Sequence, residues 1–250
     1  MLPKEITSLQ HPIVKHLVKL KSDKEHRKLS GTALVMGKKI VHELASKVNL
    51  KTLLIEKNYR LDPNIKAEEM YLVTTEILAK ITGLPSPEPV VAEVPLPAPA
   101  DLSRKKFILG LDSIGDPGNL GTLLRTALAL GWEGAFIVEG SVDPFNDKAL
   151  RAAKGATFEL PLSFGSLEDL KQLALRNKLH VYLADMDGVP VEQIRLKTPL
   201  LLLLGSESHG IRSTLKEHYE SISIPINPKM ESLNVGVAGA ILMYNLKKSS

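Results

Sequence analysis

Apolar and polar positions along the chain follow two different regimes. From Phe107 onward, short apolar runs bounded by turn residues alternate with amphipathic stretches. The runs are FILGLDSI (107–114), AFIVEG (135–140), FELPL (158–162), HVYLAD (180–185), PLLLLLG (199–205) and SISIPI (221–226). Between them, residues 122–131, 144–155, 166–178, 212–219 and 231–248 repeat apolar positions at helical spacing. Ser166 followed by Asp169 fits a capping pattern, and Pro144 fits a first-turn proline. Alternation of this kind, with strands apolar throughout, predicts a mainly parallel sheet covered on both faces.

Upstream, ALVMG (33–37) and LKTLLIE (50–56) read as strands, and 38–47 and 76–83 as helices. Residues 11–29 read as one basic amphipathic helix, with Ile13, Leu17 and Leu20 inward and Lys19, Lys24, Arg27 and Lys28 on the wet side. This predicts a small α/β domain over 1–82. The stretch 83–101 holds six of the sixteen prolines and predicts an extended linker, because proline fixes φ and removes a backbone donor. A second domain then runs over 102–250.

Charge sharpens that division. The net charge of +4 is uneven: residues 1–82 carry 15 Lys/Arg against 9 Asp/Glu, while 102–250 carry 17 against 16. A basic module beside a near-neutral one suits a polyanionic partner, most often nucleic acid. The apolar fraction of 44% is enough for a sizeable core, and no apolar run approaches the roughly 20 residues of a membrane span. The N-terminus lacks a secretory h-region. With no cysteine there is neither a disulfide framework nor a thiolate metal site, and the expected location is a reducing compartment. The seven histidines are scattered, and no metal is expected.

In open parallel sheets, ligands sit beyond the carboxyl ends of strands. Three strand-to-helix segments stand out there: LDSIGDPGNLGTLLRTA (111–127), LLLLGSESHGI (201–211) and ISIPINPKMESLNVGVAGA (222–240). The first lacks the lysine of a phosphate-binding P-loop, and its glycines, three apart, do not form a dinucleotide fingerprint. The second contains no nucleophile elbow.

Together, in this order, the three segments resemble the motifs of the SpoU (TrmH-like) ribose 2′-O-methyltransferases of the SPOUT superfamily. The residues carrying the resemblance are Asp116-Pro117-Gly118-Asn119 with Gly121 and Arg125-Thr126-Ala127, then Gly205-Ser206-Glu207 with Gly210, then Ile224-Pro225 with Ser232-Leu233-Asn234-Val235. The N-terminal part is similar, more loosely, to the family's ribosomal-protein-like substrate-binding domain. Met36 stands where the family often has Glu, and Ala153 where Ser is usual.

The resemblance implies a C-terminal trefoil knot in a parallel sheet, S-adenosylmethionine as cofactor, and a homodimer packed through the catalytic domains. It implies catalytic roles for Arg125, Asn119, Glu207, Ser232 and Asn234, and cofactor contacts at Gly205, Ile224 and Leu233. Ser232 and Asn234 are expected to cap the last helix as well. The expected reaction is methyl transfer to a ribose 2′-hydroxyl of RNA, ribosomal RNA first and transfer RNA second, in the cytoplasm. A non-catalytic RNA-binding protein with the same fold is the alternative.

Overall fold

The computed structural model describes residues 3–206 and 208–248. Its chain forms two compact units. One comprises the residues up to Pro97 together with Phe145–Arg151; the other comprises Ala98–Pro144 and the chain from Ala152 onward.

The first unit runs β1 (Lys4–Ile6), α1 (Pro12–Ser22), α2 (Lys24–Ser30), β2 (Thr32–Met36), α3 (Lys38–Ala45), β3 (Leu50–Glu56), β4 (Ala67–Val73), α4 (Thr75–Thr82) and β5 (Val90–Pro95). Its sheet has the order β1-β4-β3-β5-β2; β1, β4 and β3 are parallel, and β5 is antiparallel to both β3 and β2. Val14, Leu17 and Leu20 of α1 are fully buried with Ile77, Leu78 and Ile81 of α4.

Three expectations change here. The helix over 11–29 is two helices, broken at Asp23, whose backbone is extended (φ −116°, ψ 113°) while its side chain accepts from the His26 N–H. A capping side chain competes with helix continuation, so the basic stretch turns a corner. Arg27, expected at the surface, is 2% exposed. Its Nη1 donates to the carbonyls of Leu20 (2.6 Å) and Lys21 (3.1 Å), closing the end of α1.

The Pro-rich linker over 83–101 is also corrected, because its middle is β5, a strand with a partner on either side. Pro89 and Pro95 flank or end that strand, so its interior, VVAEV, keeps every N–H for the ladder. Glu93, 1% exposed within it, accepts from Thr32 Oγ1 and Thr52 Oγ1 (2.8 Å each) and pairs with His16 Nε2 at 3.0 Å.

The second unit, with the segment grouped to the first, continues as β6 (Phe107–Leu111), α5 (Pro117–Ala129), β7 (Gly134–Val138), α6 (Asp147–Ala153), α7 (Ala156–Glu159) and β8 (Leu162–Gly165). It ends with α8 (Leu167–Arg176), β9 (His180–Pro190), β10 (Leu200–Leu204), α9 (Ser213–Lys216), β11 (Glu220–Ser223) and α10 (Val235–Lys248). Six strands pair in parallel in the order β11-β9-β10-β6-β7-β8. Ile108, Leu201 and Leu203 face one way, packing with Leu170 and Leu173 of α8 and Leu215 of α9. On the other face, Gly239 of α10 lies so close to Leu123 of α5 and Leu204 of β10 that a Cβ there would overlap both side chains.

The strand expected at 158–162 is misplaced. Residues 156–159 close a short helix, and the strand begins only after Pro161. The last helix begins at Val235, not at Glu231, leaving Ser232 in the preceding coil.

Candidate active site

Of the expected site residues, Asn119 and Asn234 meet, at the starts of α5 and α10. Asp116 caps α5, its Oδ1 accepting from the Asn119 N–H at 2.8 Å, and Pro117 supplies a first-turn φ that the helix needs. That cap sets Asn119 on the first turn of α5, where its Oδ1 accepts from Asn234 Nδ2 at 3.0 Å. Asn234 in turn accepts from the N–H groups of Gly236 (2.9 Å) and Val237 (3.3 Å), so one side chain caps α10 and reaches the start of α5. Residues 115 apart in sequence are thereby joined. Among the described residues the cap is made by Asn234, while Ser232 is exposed in the coil before α10.

Arg125 lies further along α5, on the exposed stripe that includes Thr122. Among the described residues its guanidinium has neither a hydrogen-bond nor an ion-pair partner. Leu123, Leu124 and Ala127 are fully buried beside it, so the helix is fixed while the cation is left for solvent or a ligand.

After β10 the chain makes a tight loop. Gly210 (φ +64°) donates its N–H to the Ser206 carbonyl at 2.9 Å, and Gly205 is buried so near the Gly210 carbonyl that a Cβ would overlap it. Only glycine fits at 205. Glu207 lies outside the described residues. Both ends of this loop are held by one residue, Asp112, which was not singled out from sequence. Its N–H donates to the Leu204 carbonyl at 2.9 Å, and its carboxylate, 3% exposed at the residue level, accepts Arg212 Nε at 2.8 Å and Nη2 at 2.9 Å. The Asp112 carboxylate raises the Arg212 pKa further above its ordinary value. Such a fork is among the stronger hydrogen-bonded arrangements. Its partners are 100 residues apart and carry no local motif, so periodicity could not have found it.

Ile224 is half-buried directly after β11, and Leu233 is 36% exposed in the coil before α10. The structure thus joins Asn119 to Asn234 and places the 205–210 loop beside Asp112, while Ile224, Ser232 and Leu233 line the coil between β11 and α10. Apolar side chains on a coil with backbone polar groups nearby suit a flat ligand with apolar faces and a polar edge, as adenine has. These residues fit S-adenosylmethionine. Lys19, Lys24 and Lys28 of the first unit are exposed. Among the described residues no cluster of three or more His, Asp or Glu could hold a metal ion, and no helix is long and apolar enough to cross a membrane.

A parallel sheet whose polar groups gather at the carboxyl ends of its strands defines an α/β protein with its ligand site at that edge. Residues 106–244 match the SpoU rRNA Methylase family, and residues 11–92 match an MRM3-like substrate binding domain. The chain belongs to the SpoU rRNA methylase family, and it is an RNA methyltransferase by that membership. It is 31% identical over 248 residues to the 23S rRNA (guanosine(2553)-2′-O)-methyltransferase RlmP of Bacillus subtilis, covering 98% of this chain and 99% of that one. It is 32% identical over 154 residues to the 23S rRNA (guanosine-2′-O-)-methyltransferase RlmB of Yersinia pestis, 60% of this chain and 63% of that one. The solved structure of an AdoMet-bound rRNA methyltransferase from Sinorhizobium meliloti superposes with a TM-score of 0.88 at 28% identity, covering 98% of this chain and 97% of that one.

Proposed function

We propose that this protein transfers the methyl group of S-adenosylmethionine to a ribose 2′-hydroxyl of ribosomal RNA. One observation carries the reading: an exposed arginine, unpaired among the described residues, stands on the helix whose first turn is tied, through Asn119 and Asn234, to the start of α10. When bound, the cofactor supplies an electrophilic methyl on a sulfonium. The 2′-oxygen would take that methyl, its proton passing to solvent water as the new O–C bond forms and the S–C bond breaks, with S-adenosylhomocysteine as the leaving group. The 2′-hydroxyl is also the group that tells RNA from DNA.

Arg125 holds the phosphate and 2′-oxygen and stabilises the negative charge developing on that oxygen, as a cation aimed at developing charge does. A guanidinium stays protonated, so this role needs no proton exchange. Asn119 and Asn234 position the ribose from the paired helix starts, and Glu207 and Ser232 are assigned to the same task. Gly205, Ile224 and Leu233 hold the cofactor, mainly through backbone groups and apolar contact. Most of the acceleration comes from keeping hydroxyl and methyl in near-attack geometry.

The first unit grips folded RNA through Lys19, Lys24 and Lys28. The β11–α10 connection belongs to a trefoil knot, an exception among folds. Two copies pair through the catalytic unit, for which Leu128, Val237 (49% exposed) and Tyr244 (53% exposed) offer apolar surface on α5 and α10. The cytoplasm is the working compartment.

Arg125→Ala tests the assignment. Methyl transfer to ribosomal RNA is expected to fall by about a hundredfold or more, the scale of losing a charge-stabilising donor, with cofactor affinity by calorimetry nearly unchanged. An equal loss of cofactor binding would refute the role.

A further inference from the structure

In the first unit an open cleft of about 300 Å³, lined by none of the α1–α2 lysines, lies beside α3. That is within the size range of small-ligand sites. Its floor is apolar: Val41 and Val90 are essentially inaccessible, and Ile65 is 8% exposed. One wall is the half-buried ring of Tyr59, with Lys38 Nζ 5.3 Å from the ring centroid. The exposed Lys39 completes a cationic rim. On the same rim His42 Nε2 meets Asp62 Oδ2 at 3.0 Å.

The start of α3 itself is not the attraction, because Glu88 Oε2 already accepts the Lys38 N–H at 2.9 Å. What remains is an aromatic face beside two exposed lysines over an apolar floor. Asp62 is engaged by His42 and Asn64, and Lys39 Nζ lies 3.9 Å from Glu43 Oε1 in an exposed pair that a phosphate can replace at little cost. An aromatic ring that holds a cation by its face also accepts a stacked base, and the displaced ammonium is then free for a phosphate.

We propose that this cleft takes one unpaired nucleotide of the RNA substrate, its base stacked on Tyr59 and its phosphate held by Lys38 and Lys39. The inference rests on the RNA-methylating reading and adds to it a separate contact specific to unpaired bases. Duplex RNA hides its base faces, so such a cleft selects loops, bulges and ends. The lysines of α1 and α2, with no aromatic partner described there, contact phosphates alike in paired and unpaired RNA.

The test uses the full-length protein with two fluorescein-labelled probes, an oligoadenylate and a blunt RNA duplex of equal length. Tyr59→Ala is expected to weaken oligoadenylate binding about tenfold, the scale of one lost stack, and to leave duplex binding within about twofold. Tyr59→Phe is expected to bind as the unaltered chain does. Lys39→Ala, an exposed rim change that spares the floor, is expected to lower the salt slope for oligoadenylate by about one.

Equal losses on both probes, or no loss on oligoadenylate, would overturn the proposal. So would 5′-adenylate binding more tightly than oligoadenylate, which would make the cleft a free-nucleotide site. Unchanged melting temperature and cofactor affinity in each variant guard against misfolding. Failure of the unaltered protein to methylate ribosomal RNA would strike the enzymatic reading and leave this binding result standing.

Discussion

Asn234 serves two purposes with one amide. Its oxygen satisfies two N–H groups at the start of α10, and its nitrogen donates to Asn119 across the site. The motif residues were legible because their spacing is local, yet the link between them lies in tertiary structure. Arg27 shows the opposite failure. On a straight helix it falls on the wet face with Lys24 and Lys28; once the chain breaks at Asp23 it folds under and caps α1. Arg27→Ala is therefore expected to cost about 2–3 kcal/mol by leaving buried carbonyls unpaired, read as a lower melting temperature. Charge reversal at Lys19, Lys24 and Lys28 together is expected to leave melting nearly unchanged while weakening RNA binding and flattening its salt slope. Unchanged RNA affinity in that triple variant would refute the foothold.

At the scale of elements, the most legible strands were those buried on both faces. β6, β7 and β10 read as continuous apolar runs and are buried throughout. β4 carries no such signal, because AEEMYLV is only half buried and holds two glutamates. β5 was hidden by its flanking prolines. Glu93 within β5 has a measurable consequence: burial pushes its carboxyl up, but hydrogen bonds from His16, Thr32 and Thr52 outweigh that and hold it below its ordinary value near 4.5. A lowered folded-state pKa contributes stability above the unfolded value and loses it as pH falls through the folded one. The stability gap between the unaltered protein and Glu93→Gln, by urea denaturation, is thus expected to be full near neutrality and to shrink below about pH 4.5. A gap that stays constant into acid would contradict it.

Across the whole molecule, the charge step between the two parts of the sequence points to a division of labour, with a basic unit for RNA and a near-neutral one for chemistry. The fold class was open to sequence reasoning because strand–helix alternation leaves few architectures. Pairing order, the Asp112–Arg212 fork and the cleft beside Tyr59 were not, since each depends on residues far apart. Two copies per particle are expected in sedimentation, with Val237→Glu shifting the mass to one; an unaltered protein sedimenting as a single chain would remove the dimer. The most direct measurement is mapping of 2′-O-methylated riboses in ribosomal RNA incubated with cofactor and either the unaltered protein or Arg125→Ala. The expected result is a discrete ribose methylation made by the unaltered protein and absent with the variant. Methylation on a base, on transfer RNA alone, or on no RNA at all would contradict the account.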